Sequence, residues 1–378
     1  MIRLWTPLIR LVAVVLVLLT AGSGAIAQTV TWTGGGDGVS WNQATNWSSN
    51  PALPGAANDV VIPAGAQAIT FNTAATIRSL TLDRALNIPA QCTLLTITNG
   101  LTFTSAAGVL TTGNAGCEQL RFSGTQSITG PGEIVVSNAN MRVTGASTVL
   151  TLGPSVTIRN NAATNGQITF DTGVTVNNQG AIRATGVGRS LTIAGGNATT
   201  TLNNSGTLEA VSSGTLTIND ITTVNTGSLV INTGNLSLGG VVSSLGTVNR
   251  TGGSLTLSNG YTGATLALNA GTGSVNFAGG TFNGTTITAS DGAGISITGA
   301  TSMNNVTLGA PISIPAQCIT LTVTGGLAFQ PGGSITTGNA GCEQLRFSGT
   351  QSVTGTGEIV VSNSNVRVFG ASAVLTLG

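Results

Sequence analysis

The chain contains no histidine and no lysine in 378 residues. Without histidine there is no Ser–His–Asp triad, no Cys–His pair, no HExxH zinc site and no imidazole general base. Without lysine there is no P-loop lysine and no Schiff base. Charge of either sign is scarce. Twelve arginines and eleven acids make up 6% of the chain, against a usual share of roughly a quarter. So neutral a surface has no electrostatic footprint for nucleic acid or anionic lipid, and no nucleic-acid partner is expected. Aromatic residues are only 4%. Thr, Ser, Asn and Gly must therefore cover the exterior. Such a composition can signal disorder, but disorder goes with few β-branched apolar residues and high net charge. Here 40% of residues are hydrophobic, and they alternate regularly, so the chain is expected to be ordered.

Long hydrophobic runs are absent outside the first residues. Arg3 and Arg10 flank the start, Leu11 to Leu19 is apolar, and Ala25-Ile26-Ala27 is a small-residue cleavage site. This is the pattern of a secretory signal peptide over residues 1–27, too short in its apolar part to span a bilayer. Its removal takes two arginines and moves the net charge from +1 to −1. No transmembrane helix is expected in the mature chain, which would be secreted or held at the cell surface.

From about Ile69 onward one phrase recurs: a Gly or Asn turn, then a few residues alternating apolar with Thr or Ser. Ser79-Leu-Thr-Leu82, Ser190-Leu-Thr-Ile193, Gly214-Thr-Leu-Thr-Ile218, Gly227-Ser-Leu-Val-Ile231, Gly253-Ser-Leu-Thr-Leu257 and Gly294-Ile-Ser-Ile297 are examples. Alternation with period two marks half-buried strands, and Gly- and Asn-containing turns every ~8–13 residues punctuate them. No segment has a convincing 3.6-residue apolar period, so the fold class is all-β. Few aromatics favour the narrow core of a solenoid, and tight corners need the Gly and Asn that adopt positive φ cheaply. The expected architecture is a right-handed parallel β-helix (β-solenoid) of ~14–16 coils, roughly 60–75 Å long. Tandem β-sandwich domains are the alternative.

The chain repeats itself. Cys117 to Gly153 and Cys342 to Gly378 align without a gap and differ at six of 37 positions. The match extends back to Ile88-Pro-Ala-Gln-Cys92 and, displaced by one residue, Ile314-Pro-Ala-Gln-Cys318. The expected organisation is a capping segment at 28–68 and a solenoid at 69–378, with a 225-residue repeat over about 88–313 and a truncated second copy at 314–378. The second copy stops where the first runs on into Pro154, which leads to the expectation of a longer protein. Cys92 and Cys117 are separated by 25 in sequence, and Cys318 and Cys342 by 24. A coil of that length would place each pair on adjacent coils, at a separation that suits a disulfide. Pairs Cys92–Cys117 and Cys318–Cys342 are therefore predicted, with free buried thiols as the alternative.

All three mature tryptophans fall in Val30-Thr-Trp-Thr-Gly-Gly-Gly-Asp-Gly-Val-Ser-Trp-Asn-Gln-Ala-Thr-Asn-Trp47, followed by Pro51 to Ile62 with Asp59-Val-Val-Ile62. Trp32, Trp41 and Trp47 are expected to seal the end of the solenoid, with stacking on glycans as the alternative. The pattern W-x-G-x-G-D…W-x-x-x-x-N-W…D-V-V-I resembles the opening module of secreted bacterial β-helix surface proteins of the adhesin and autotransporter-passenger type. That resemblance implies an exported, outer-membrane or cell-surface stalk whose partners are glycans, host or abiotic surfaces, or like molecules. The usual translocator barrel, sorting motif or lattice-attachment domain is not seen before Gly378.

Paired carboxylates keep one enzymatic class open, since sugar-cleaving sites can be built from acids alone. The closest set is Glu118, Arg121, Glu133 and Arg142, with its copy Glu343, Arg346, Glu358 and Arg367. These residues read more simply as ion pairs between adjacent coils. Asp171 and Asp220 are far enough apart in the chain to sit about two coils from each other. Gly34-Gly-Gly-Asp-Gly38 reads as a turn rather than a calcium loop, because it does not recur in tandem. Gly186-Val-Gly188 before Arg189 is a weak phosphate signal without a following helix. Thr-x-Thr pairs such as Thr96-Ile-Thr98 and Thr102-Phe-Thr104 could form an ice-binding array only if held in register over many coils, and their spacing drifts. No catalytic residue, cofactor or metal is expected. The function expected is a non-catalytic stalk presenting Thr/Asn-rich faces for attachment; a β-helix polysaccharide lyase or glycoside hydrolase, or a glycan-binding module, is the alternative.

Overall fold

A computed structural model describes residues 27–196 and 199–378. The signal peptide expected over 1–27 lies outside them, apart from Ala27. The fold is a parallel β-solenoid. Its strands form sheets of 20, 14 and nine members, and neighbouring strands run parallel in register. Tandem sandwiches would need antiparallel ladders, so that alternative is set aside. Each turn of the chain lays one short strand on each of three faces. The only helix among the described residues is one 3-10 turn, Ala44–Asn46.

Alternation decides which side chains point inward. In Thr215–Asn219 the residues Leu216 and Ile218 are buried while Thr215 and Thr217 face out. Parallel register then stacks like on like. Leu191, Leu216, Leu236 and Leu255 form one internal column, and Ile193, Ile218, Leu238 and Leu257 form another. Coil length is not constant, because corners absorb the variation. Met141 stacks on Ile168 after a long coil, whereas Ile295 stacks on Ile312 after a much shorter one.

Corners carry their own polar core. Asn178, Asn204 and Asn225 are buried on successive coils, and each amide donates onward: Asn178 Nδ2 to Asn204 Oδ1 at 2.5 Å, Asn204 Nδ2 to Asn225 Oδ1 at 2.6 Å, Asn225 Nδ2 to the Leu245 carbonyl. Further along, Thr301–Gly309 and Leu321–Phe329 run round a corner without interruption. They turn at Asn305 (φ 52°) and Gly325 (φ 68°) and join two faces into the 20-stranded sheet.

Both predicted disulfides are present, Cys92–Cys117 and Cys318–Cys342, each with Cα atoms 5.7 Å apart. Each tethers a protruding Ile-Pro-Ala-Gln loop that a buried glutamine also holds. Gln119 Nε2 donates to the Pro89 carbonyl at 2.7 Å and its Oε1 accepts from Gly113 N–H at 2.7 Å; Gln344 Nε2 donates to Pro315 and Gln317 carbonyls at 2.7 Å.

The two copies of the repeat do not occupy the same faces. Glu118–Ser123 belongs to the 14-stranded sheet, but its counterpart Glu343–Ser348 lies in the 20-stranded sheet. Counting along the 14-stranded sheet from Glu118–Ser123 to Ser334–Thr336 gives ten rungs, and Glu343–Ser348 follows one face later. The repeat thus advances ten turns and one third.

The Trp-bearing segment is continuous with the rod. Gln28–Thr31 pairs with Asn58–Ile62, which pairs with Ser79–Leu82. Trp32, Trp41 and Trp47 are at most 3% exposed. They contact one another edge-on, with centroids 4.9 Å (Trp32–Trp47) and 4.6 Å (Trp41–Trp47) apart.

The asparagine ladder gives a paired test. Asn204→Ala leaves Asn178 Nδ2 only the Thr207 carbonyl at 3.3 Å and strands Asn225 Oδ1 in the interior, at an expected cost of about 1–3 kcal/mol. Asn203→Ala, which removes the outward contact to Asn177 Oδ1 at 2.9 Å, should stay within about 0.5 kcal/mol. Denaturant midpoints of the two variants check the difference.

Candidate functional site

The charged residues come first, because they are few. On the 14-stranded sheet, Arg121 stacks beside Arg142. Glu118 accepts from Arg121 at 2.6 Å and lies 3.7 Å from Arg142, which also reaches Asp171 at 2.7 Å on the next coil. The hydrogen bond to Glu118 raises the Arg121 pKa above its ordinary value. Glu133 is not part of this group. It lies on the nine-stranded sheet and pairs with Arg159 at 3.0 Å, while Arg183 on the next rung pairs with Glu209.

The second copy behaves alike: Glu343 bonds Arg346 and lies 3.5 Å from Arg367, while Glu358 is on the 14-stranded sheet with no ion pair among the described residues. Phe369, which replaces Thr144 of the first copy, lies 5.3 Å from the Arg346 guanidinium and 5.1 Å from that of Arg367. These half-exposed pairs contribute little individually, about 0–1 kcal/mol each. Their geometry sets carboxylate against guanidinium, whereas glycoside hydrolysis needs two carboxylates facing across a bond. Asp171 and Asp220 lie about two coils apart, since Phe170 pairs with Gly195 and Ala194 with Asn219. Among the described residues, no group of three His, Cys, Asp or Glu could hold a metal ion.

The glycine-rich turn is held by its own N–H groups. Asp37 Oδ1 accepts from Val39 and Ser40 N–H at 2.9 Å and from Asn46 Nδ2 at 2.7 Å, while Asn46 Oδ1 accepts from Gly36 N–H at 2.9 Å. Hydrogen bonds from Ser40, then from Val39 N–H and Asn46, hold the Asp37 carboxyl well below the usual carboxylate range. The turn braces the tryptophans, whose rings are inside the cap and offer no open face for a sugar. Trp47 Nε1 donates to the Trp41 carbonyl at 2.8 Å.

A long ordered surface feature lies elsewhere. Outward residues of the 14-stranded sheet fall in one unbroken column: Gln167, Thr192, Thr217, Ser237, Thr256, Asn276, Ser296, Ser313 and Thr336, each paired to the next. A second column two residues earlier holds Ser190, Thr215, Asn235 and Ser254. On four successive coils the strand therefore presents a doublet of Ser, Thr or Asn around a buried Leu. The rungs also bond one another: Ser254 Oγ donates to Asn235 Oδ1 at 2.7 Å, and Ser237 and Ser258 hydroxyls meet at 3.1 Å. No charged residue occurs in either column. At its head lies a groove of about 350 Å³ lined by Asn138, Asn140, Asn165, Gln167, Ser190 and Thr192.

This register corrects the expectation that hydroxyl pairs drift. The pairs quoted from sequence do drift: Thr96 lies on the 14-stranded sheet and Thr102 on the 20-stranded one. The columns on the 14-stranded sheet do not. The available signal was the recurring tetrad of Ser190-Leu-Thr-Ile193, Thr215-Leu-Thr-Ile218, Asn235-Leu-Ser-Leu238 and Ser254-Leu-Thr-Leu257. Ser228-Leu-Val-Ile231 reads much the same yet lies on the nine-stranded sheet, so the phrase alone does not reveal the face.

No protein-family model matches the chain, and no curated protein or solved structure is significantly similar to it.

Asp37 supplies a pH test. Because folding depresses its pKa, its stabilisation is complete above the unfolded value near 3.8 and is lost as the pH falls through the lower folded value. Asp37→Asn should lower the denaturant midpoint of the cap at neutral pH, read by the red shift of tryptophan emission. The gap from the parent chain should narrow only below about pH 4.

Proposed function

We propose that the protein is an exported, non-catalytic stalk of the adhesive surface-protein kind, secreted or held at the cell surface. Its uncharged faces make the attachments. The observation that carries this reading is the column of nine uncharged polar residues on one sheet, alongside acids that are mostly spent on guanidinium partners. Two disulfides favour an oxidising compartment. No helix among the described residues is long and apolar enough to cross a membrane. The mechanism is passive: a rod whose strands are tied to both neighbouring coils holds a regular surface away from its base.

A second reading rests on the amide-lined groove, which suits the hydroxyls of a neutral glycan. Co-sedimentation with insoluble neutral polysaccharides and with uncharged polymer beads tests both. Retention without release of soluble sugar supports the stalk. Sugar release that disappears in Glu118→Gln would overturn it in favour of a carbohydrate-active enzyme. Asn140→Ala combined with Gln167→Ala should reduce retention on glycan, but not on beads, if the groove is the glycan site.

A further inference from the structure

Neither ion pairing nor core packing accounts for the hydroxyl strip between Thr192 and Thr336. Taking the passive stalk as its premise, we infer that the strip is a homotypic contact, in which a second copy of the chain packs its own strip against it with the two rods antiparallel.

Periodicity is the first reason. The strip offers hydrogen-bonding groups every ~4.8 Å along the rod, and only a partner with the same repeat can meet it rung by rung. A second copy has that repeat by construction. Short side chains let two sheet faces approach to ~10 Å and interdigitate, as identical polar faces do in paired cross-β sheets.

Charge is the second. Between Glu209 and Glu343 the chain carries only Asp220, Arg250 and Asp291. Asp220 and Asp291 occupy left-handed turn positions (φ 55° and 58°), and Arg250 is held by the Thr272 carbonyl at 3.2 Å. Nothing on the strip repels its copy. The ends choose the direction. The strip's midpoint falls between the rungs of Thr256 and Asn276. Antiparallel pairing about that point carries the Glu358 end of one rod to the level of the Gln167 rung of the other, beside the Arg142–Asp171 pair. Parallel pairing would set the two Glu358 ends level with each other.

Area bounds the strength. Eight rungs make a patch about 35 Å by about 10 Å, roughly 350 Å² per copy, less than half the ~800 Å² per partner of a stable complex. Free chains should therefore associate weakly, whereas chains crowded on one surface gain by avidity.

Sedimentation equilibrium of the chain purified after export, up to ~1 mM, reads the contact. Weak dimerisation is expected at ~0.1 mM and above. Thr217→Arg with Thr256→Arg should lower the association constant by at least about tenfold. Arginine is already accommodated outward on this sheet at Arg121 and Arg142, and circular dichroism checks the fold. Thr151→Arg with Asn203→Arg, on the 20-stranded sheet, should leave association within about twofold. Thr256→Cys, beside the twofold axis, should give an oxidised covalent dimer, since the four native cysteines are already paired; Thr192→Cys, seven rungs from its mate, should not. Three results would overturn the inference: monomers throughout, equal loss in both arginine pairs, or equal cross-linking at both cysteine positions. So would association abolished by Val366→Thr with Val368→Thr, because those residues lie on the apolar edge of the last coil and mark end-to-end stacking instead. Release of sugar in the polysaccharide assay would sink the stalk reading and leave these sedimentation results intact.

Discussion

Between the ends of the sheets, each rung of this protein hydrogen-bonds to the rungs before and after it, and register between neighbours fixes everything else. A parallel ladder with a rise of ~4.8 Å leaves no freedom in how side chains of successive coils meet. Inward positions must carry residues that stack on their own kind, which is why Leu191, Leu216, Leu236 and Leu255 form a column. Corners must satisfy backbone and side-chain amides within the stack, as Asn204 and Asn225 do. The same constraint that orders the interior also orders the exterior. A column of hydroxyls outside is the mirror of a column of leucines inside.

Much of this was legible in the chain itself. Alternation in Ser190-Leu-Thr-Ile193 identifies a strand and its buried face, and cysteine separations of 25 and 24 identify adjacent coils. What could not be read is which rung a residue occupies. The long coil from Met141 to Ile168 and the short one from Ile295 to Ile312 share one rod, so distance along the chain is a poor guide to position along the axis. That is why Glu133 could be grouped with Glu118 although the two lie on different sheets. It is also why the hydroxyl register was invisible: more chain separates Thr192 from Thr217 than separates Ser237 from Thr256, yet each pair is one rung apart. Gln119 and Gln344 left no local signature, because their amides latch loops some thirty residues upstream.

Scarcity of charge is a property of the surface and of folding alike. Most acids here face a guanidinium across one rung, and such half-exposed pairs offer little energy. Their value lies in matching. A lone charge in a column would face neutral rungs, whereas Glu118, Arg142 and Asp171 alternate in sign along the axis. Where alternation stops, between Glu209 and Glu343, charge nearly stops too, and short hydroxyl and amide groups take over.

The third of a turn left over by the repeat changes what duplication means. If the unit closed on a whole number of turns, copies would align and any patch they shared would form a stripe along one side. Because it does not, the Glu–Arg group of the first copy and that of the second point out from different faces of the rod. Repetition in sequence thus becomes a slow screw in space. A rod grown by adding such units has no preferred side, and its shared patches are offered to every neighbour around it.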